Sequence, residues 1–210
     1  MPIPKRNSQA FAAYNEIKRR ILAGMFTPND RLREVEVAEQ LEMGRTPVRE
    51  ALKRIQDEGL ITHEAGRGLV VTRMDQQEVG ELYSMREVLE GAAAAFAARH
   101  ATDADVANMQ AILDEGDRGD PVAHNLRFHQ AIYSAAHNRY LIRSLQSLTE
   151  TTYLLGRSTL SSPERASRSD QEHQAIVDAI RARDPGAAQL AAQHHINQAL
   201  LERLRMLRQG

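Results

Sequence analysis

Four side chains in the second half of this chain carry donor atoms at spacings that suit a metal ion. Asn125 and His129 stand four residues apart, so a helix puts both on one face. His173 lies in EHQAIVDAI and His195 in HHINQALL, each on a helical pattern of its own. Helices of a bundle can bring such side chains together at its centre. Three neutral imidazoles and one oxygen suit zinc, nickel, iron or manganese, with positions left for water or a carboxylate. The chain has eight histidines, and these three also read as separate hydrogen-bonded core or surface residues. His124, His137 and His194 read as bystanders, although His194 replaces His195 if the helix phase slips by one. Three histidines around an open metal could also activate water or dioxygen. No carboxylate stands out beside them as a general base, which argues against an enzyme.

A second group of side chains suits nucleic acid. In GRTPVREALKRIQDEG, residues 44–59, Val48, Ala51, Leu52 and Ile55 form the apolar stripe of a packed helix. Arg45, Thr46 and Arg49 occupy the other side at its N-terminus, where Pro47 fits the first turn and Gly59 the stop. Arginines there can read guanine edges or clamp phosphates, and Thr46 can meet the backbone or a thymine methyl. An ordinary amphipathic surface helix has the same pattern. A third candidate is Arg86, on the interior stripe of a later helix. It can fork onto the carboxylate of an effector or pair with Glu87 or Glu90 on its own helix. Tyr133, Asn138 and Arg139 are further pocket candidates.

The elements around these residues give them their place. Upstream of residue 44, EVEVAEQL reads as a short helix joined by a tight turn, which makes a helix-turn-helix. Downstream, 60–63 and 69–72 read as strands around the glycine-rich turn 64–68, a wing whose Gly66 and Arg67 can approach phosphate or the minor groove. A first helix is expected over 9–23, residues 1–7 read as a basic arm, and Arg31 or Arg33 flanks the second helix as a backbone contact. After residue 75, an N-cap, no strand signal appears. Helices are expected over 76–99, 105–115 (capped by Asp103), 122–136, 140–158, 163–183 and 185–207. The fold class is therefore mainly α: a winged helix-turn-helix over 1–74 and an antiparallel all-α bundle over 75–210.

The run RLREVEVAEQLEMGRTPVREALKRIQDEGLI, followed by GRGLVV, resembles the winged helix-turn-helix of the GntR family of bacterial transcription regulators. Gly44 stands where that family usually has a serine cap, a loss of about a few tenths of a kcal/mol. FHQAIYSAAHN, EHQAIVDAIRARD and the later His195 resemble the metal-binding helices of the FCD domain, the FadR-like branch of that family, in its six-helix form. The resemblance implies His129, His173 and His195 as ligands of a divalent transition metal, with Asn125 where the family usually has Asp. An amide in that place removes one negative charge and one strong ligand. It further implies a homodimeric repressor that binds a near-palindromic double-stranded operator through Arg33, Arg45, Thr46, Arg49, Gly66 and Arg67. A small carboxylate-bearing effector, met by Arg86, Tyr133 and Asn138, would release it. A regulator for which the metal itself is the signal is the alternative.

Composition sets the outer bounds. There is no cysteine among the 210 residues, so thiolate sites and disulfides are excluded. Net charge is −1, yet residues 1–74 hold 13 Lys/Arg against 10 Asp/Glu, which puts the positive half where the helix-turn-helix is. The N-terminus lacks a signal-like apolar region, and nothing approaches the roughly 18-residue apolar run of a membrane span. The expectation is a soluble, cytoplasmic protein with no membrane partner.

Overall fold

The computed structural model describes residues 9–117 and 119–209. The basic arm expected over 1–7 lies outside them. The order of elements is α1 (Gln9–Leu22), α2 (Glu34–Gln40), α3 (Arg45–Asp57), β1 (Ile61–Glu64), β2 (Gly68–Val71), α4 (Gln76–His100), α5 (Asp103–Glu115), α6 (Pro121–Ala135), α7 (Arg139–Thr152), α8 (Pro163–Arg181) and α9 (Pro185–Gln209). Short 3₁₀ turns at Tyr153–Leu155 and Thr159–Ser161 separate α7 from α8. The chain divides into two compact units, Met1–Met74 with Thr149–Gly156, and Asp75–Leu148 with Arg157–Gly210.

In the first unit, the apolar stripes of α1, α2 and α3 meet in one core. Ile17, Ile21, Val37, Val48, Leu52 and Ile55 are buried there together with Leu60, Ile61 and Val71 of the hairpin. The strands β1 and β2 are antiparallel, pairing Ile61 with Val71 and Glu64 with Gly68. Gly66 and Gly68 close the turn at φ 78° and 82°, a left-handed conformation that costs glycine nothing. Leu154 completes this core from far along the chain. Close to it, Lys18 bridges Glu58 at 2.8 Å and Glu150 at 2.7 Å. That a segment of 149–156 belongs to the first unit is a feature the hydrophobic pattern did not announce.

The second unit is helical throughout its described residues, with six α-helices. Asp75 caps α4 through a reciprocal pair with Glu78, as its place before the apolar stripe predicts. Thr102, rather than Asp103, caps α5, because Asp105 at the third position returns the bond to the Thr102 backbone and fixes the start there. The expected fourth helix over 140–158 ends at Thr152 instead, and Gly156 takes φ 70°. The longest contact in the unit is α4 on α9. It is close because Gly91 faces Gln189 and Gln193: a Cβ there would meet Gln193 Cγ at 2.9 Å. Ala93, Ala94, Ala97 and Ala98 continue the same small-residue face into the core around Phe128, Ile132, Ile176 and Ile180. No helix among the described residues is long and apolar enough to cross a membrane.

Candidate DNA-facing helix and metal centre

The N-terminal turn of α3 presents Arg45, Thr46 and Arg49 to solvent, while Val48, Ala51, Leu52 and Ile55 anchor its back. Gly44 occupies the cap position with extended backbone and no side-chain bond. Both arginines turn toward Glu34 at the start of α2. Arg49 forks onto its carboxylate with two 2.8 Å bonds, and Arg45 Nε donates to it at 3.2 Å. The Arg49 bond is the largest influence holding the Glu34 carboxyl below its ordinary range. Exposed pairs of this kind are worth little in water, so the two guanidinium groups are oriented without being locked. Arg33 pairs with Glu36, and Arg67, beside Gly66 at the wing tip, bonds Glu64 and the Asn29 carbonyl. All six residues expected to face DNA are exposed.

Inside the second unit, α6, α8 and α9 bring His129, His173 and His195 together. All three are buried, and one ring nitrogen from each lies within 4.8 Å of the others. His194 is exposed, so the helix phase favours His195. The Nε2 atoms of His129 and His195 face each other at 3.2 Å. His129 Nδ1 stands 2.7 Å from Glu90, and His195 Nδ1 stands 2.7 Å from Glu172. Burial opposes ionisation of Glu90, but His129 and Arg86 outweigh it and hold the carboxyl well below its usual range. Glu172 is lowered too, burial again being outweighed by His195 and Arg165. Ionised carboxylates only accept, so each Nδ1 carries a proton and the two Nε2 atoms are left facing each other. Burial lowers the His195 pKa to about 4, which keeps that ring neutral at pH 7. Burial likewise holds the His173 pKa well below its ordinary value. The ring stacks on Phe128 at 4.2 Å between centroids, its Nε2 lies 3.4 Å from Ser169 Oγ, and its buried Nδ1 has no hydrogen-bond partner among the described residues.

These residues fit a divalent transition metal. Two nitrogens bound at about 2.0–2.1 Å to one tetrahedral ion stand about 3.3 Å apart. Ring nitrogens that face each other at 3.2 Å can share one proton or hold a cation between them. Asn125 lines a small cavity with His124, Ser169, Asp170 and His173. The free volume there is about 10 Å³, the room of roughly one water molecule.

Several sequence expectations change at this point. Arg86 pairs with Glu90 of its own helix, its Nε and Nη2 both donating, at 3.1 and 2.7 Å, which is the alternative the sequence offered beside an effector carboxylate. The Asn138 side chain caps α7, accepting from the Tyr140 and Leu141 amides, because a helix start leaves those donors unpaired. Tyr133 is buried beside the cluster, its ring 6.0 Å from that of His129. His124 is a buried group bonded to the Ile112 carbonyl. Two carboxylates do stand beside the histidines, Glu90 and Glu172, contrary to the reading that none does. The signals were present but ambiguous: Glu172 precedes His173, and Glu90 lies one turn beyond Arg86 on a buried stripe.

A winged helix with an arginine-bearing recognition helix, attached to a helical unit with a buried histidine site, defines a DNA-binding regulator of transcription. Residues 9–71 match the family described as bacterial regulatory proteins, gntR family, and residues 81–198 match the FCD domain. The chain belongs to the FCD-containing branch of the GntR family. Among its relatives is the probable D-xylose utilization operon transcriptional repressor of Paenarthrobacter nicotinovorans, 31% identical over 79% of this chain and 75% of that protein. Another is the uncharacterized HTH-type transcriptional regulator YdhC of Bacillus subtilis (strain 168), 24% identical over 88% of this chain and 86% of that one. The solved structure of E. coli McbR/YncC shares the fold, with a TM-score of 0.77 and 23% identity over 95% of this chain and 99% of that one. The two relatives are transcriptional regulators and not enzymes, and so is this chain.

Proposed function

We propose that the protein is a metal-loaded, homodimeric repressor, acting in the cytoplasm on a near-palindromic operator and released from it by a small organic acid. The domain division at 74/75 underlies this reading: residues 1–74 bind DNA, and 75–210 dimerise and sense. Two recognition helices in a dimer reach successive major grooves, with Arg33, Arg45, Thr46, Arg49, Gly66 and Arg67 as the DNA contacts. His129, His173, His195 and Asn125 hold the metal, whose open positions accept a carboxylate. The acid favours the dimer geometry that fits the operator less well, and repression lifts by population shift.

The observation that carries the sensing half is the convergence of three buried imidazoles, two of which are tied by their outer nitrogens to Glu90 and Glu172. The test has two parts. Melting curves of zinc-loaded and chelator-stripped protein are compared across a panel of small carboxylic acids, and operator affinity is measured by fluorescence anisotropy with and without each acid that shifts them. The reading expects metal-dependent shifts and weakened operator binding. Operator affinity that ignores every acid overturns it. A second reading, in which the metal alone is the signal, draws on the small cavity beside His173. Operator affinity that follows zinc with no acid present selects it.

A further inference from the structure

Arg165 is the unexplained group of the second unit. It lies in the first turn of α8 and is 1% exposed, among the most buried large side chains of the protein. Its Nη2 donates to Glu172 Oε2 at 2.9 Å, and that same oxygen takes the His195 Nδ1 bond at 2.7 Å. Its Nε and Nη1 are buried with no partner among the described residues. Arg86 occupies the matching place on the other side of the cluster, and there Glu90 takes both donating nitrogens. The two arrangements are alike, Arg–Glu–His in each, but only one of them leaves guanidinium donors over.

A buried cation with idle N–H groups is a costly thing to keep unless an anion completes it. The reach from Arg165 to Glu172 lays the side chain along the face of α8 that carries Ser169 and His173. Ser169 and His173 line the cavity shared with Asn125. Arg203 of α9 is also buried, eight residues beyond His195 as Arg165 is eight before His173. Asp117 and Asp170 also line that cavity, so the pull on an oxyanion comes from the idle Arg165 nitrogens themselves, two hydrogen bonds removed from the histidine nitrogens.

We infer that Arg165 anchors a second carboxylate of the effector, so that the site selects dicarboxylic acids over monocarboxylic ones. The inference rests on the reading that a small acid reaches the histidine site. One end of the acid takes the open metal position, and the other takes the guanidinium nitrogens that Glu172 leaves over. Because the cavity holds only about one water, the side chains around Ser169 and Leu160 move apart as the acid enters.

The experiment is calorimetric titration of the zinc-loaded full chain with matched acids, lactate against malate and butyrate against glutarate. The readout is the ratio of affinities within a pair, which a general loosening of the site leaves alone. Wild type is expected to bind the dicarboxylate at least about tenfold tighter, and Arg165→Gln to bring the ratio near one. Arg165→Lys keeps the buried charge opposite Glu172 but loses the planar fork. It serves where the glutamine variant does not fold, and it too is expected to lose most of the preference. A ratio near one in wild type, or a preference that survives in both variants, overturns the inference while leaving acid sensing intact. If zinc-loaded wild type binds neither member of either pair, the acid-sensing reading falls, and this inference with it.

Discussion

Glu90 and Glu172 decide how well three histidines act together. Each holds one imidazole by Nδ1 and so aims its Nε2 inward. Partners of this kind usually matter by about 10–100-fold in metal affinity, and Glu172→Gln or Glu90→Gln should weaken zinc binding by that much in competition with a chromophoric chelator. The same assay should show Asn125→Asp binding zinc about tenfold tighter or more, since a carboxylate restores the charge that the amide lacks. An unchanged affinity would remove Asn125 from the ligand set. The three histidines were singled out in the sequence by the resemblance to the FCD helices. Spacing alone also allowed three separate residues and left His194 open against His195, which burial of His195 decides. The carboxylates were not singled out. An Arg and a Glu four residues apart look the same whether they are solvated or, as with Arg86 and Glu90, buried. Arg165 was equally hidden, since nothing in the first turn of a charged helix tells that its arginine is enclosed.

At the scale of elements, two contacts carry predictions. The approach of α4 to α9 depends on Gly91, and Gly91→Val drives two methyl groups into Gln189 and Gln193. Overpacking of this sort costs about 1–3 kcal/mol, which a urea titration of the variant should show as a lower midpoint with the slope unchanged. In the first unit, Glu58 accepts from Tyr14 and Lys18, and Lys18 also meets Glu150. Burial works against ionisation of Glu58, yet the Lys18 and Tyr14 bonds outweigh it and lower its pKa from 4.5. A carboxyl lowered on folding adds stability above its unfolded pKa and loses it as pH falls through the folded one. The difference in melting temperature between wild type and Glu58→Gln should therefore be steady near neutrality and shrink below about pH 4.5. A difference that stays constant down to pH 3 would assign Glu58 no such role. Helix α3, the turn before it and the hairpin after it were readable from apolar spacing, Pro47 and the glycines. The early end of α7 was not, because its apolar periodicity continues past Thr152 into residues that serve a different core.

For the whole molecule, the two-part organisation was evident from the change of pattern near residue 75, and the compact units also part there. What periodicity could not show is that Thr149–Gly156 returns to the first unit. Leu154 is buried in that core, so Leu154→Ala should cost about 2–4 kcal/mol of its stability. Thermal unfolding should show an earlier loss of operator binding than of zinc binding. Loss of both together would mean that the two units melt as one. The same segment bears on how such a gene can recombine. Exchanging a sensor for another is simplest where a single cut parts two self-sufficient pieces, and here the chain changes unit at 74/75, again at 148/149 and once more at 156/157. A splice at the first junction alone hands the new partner a reading head with a vacancy where Leu154 sat. Any lineage founded that way must find, somewhere in the acquired domain, an apolar residue to fill it.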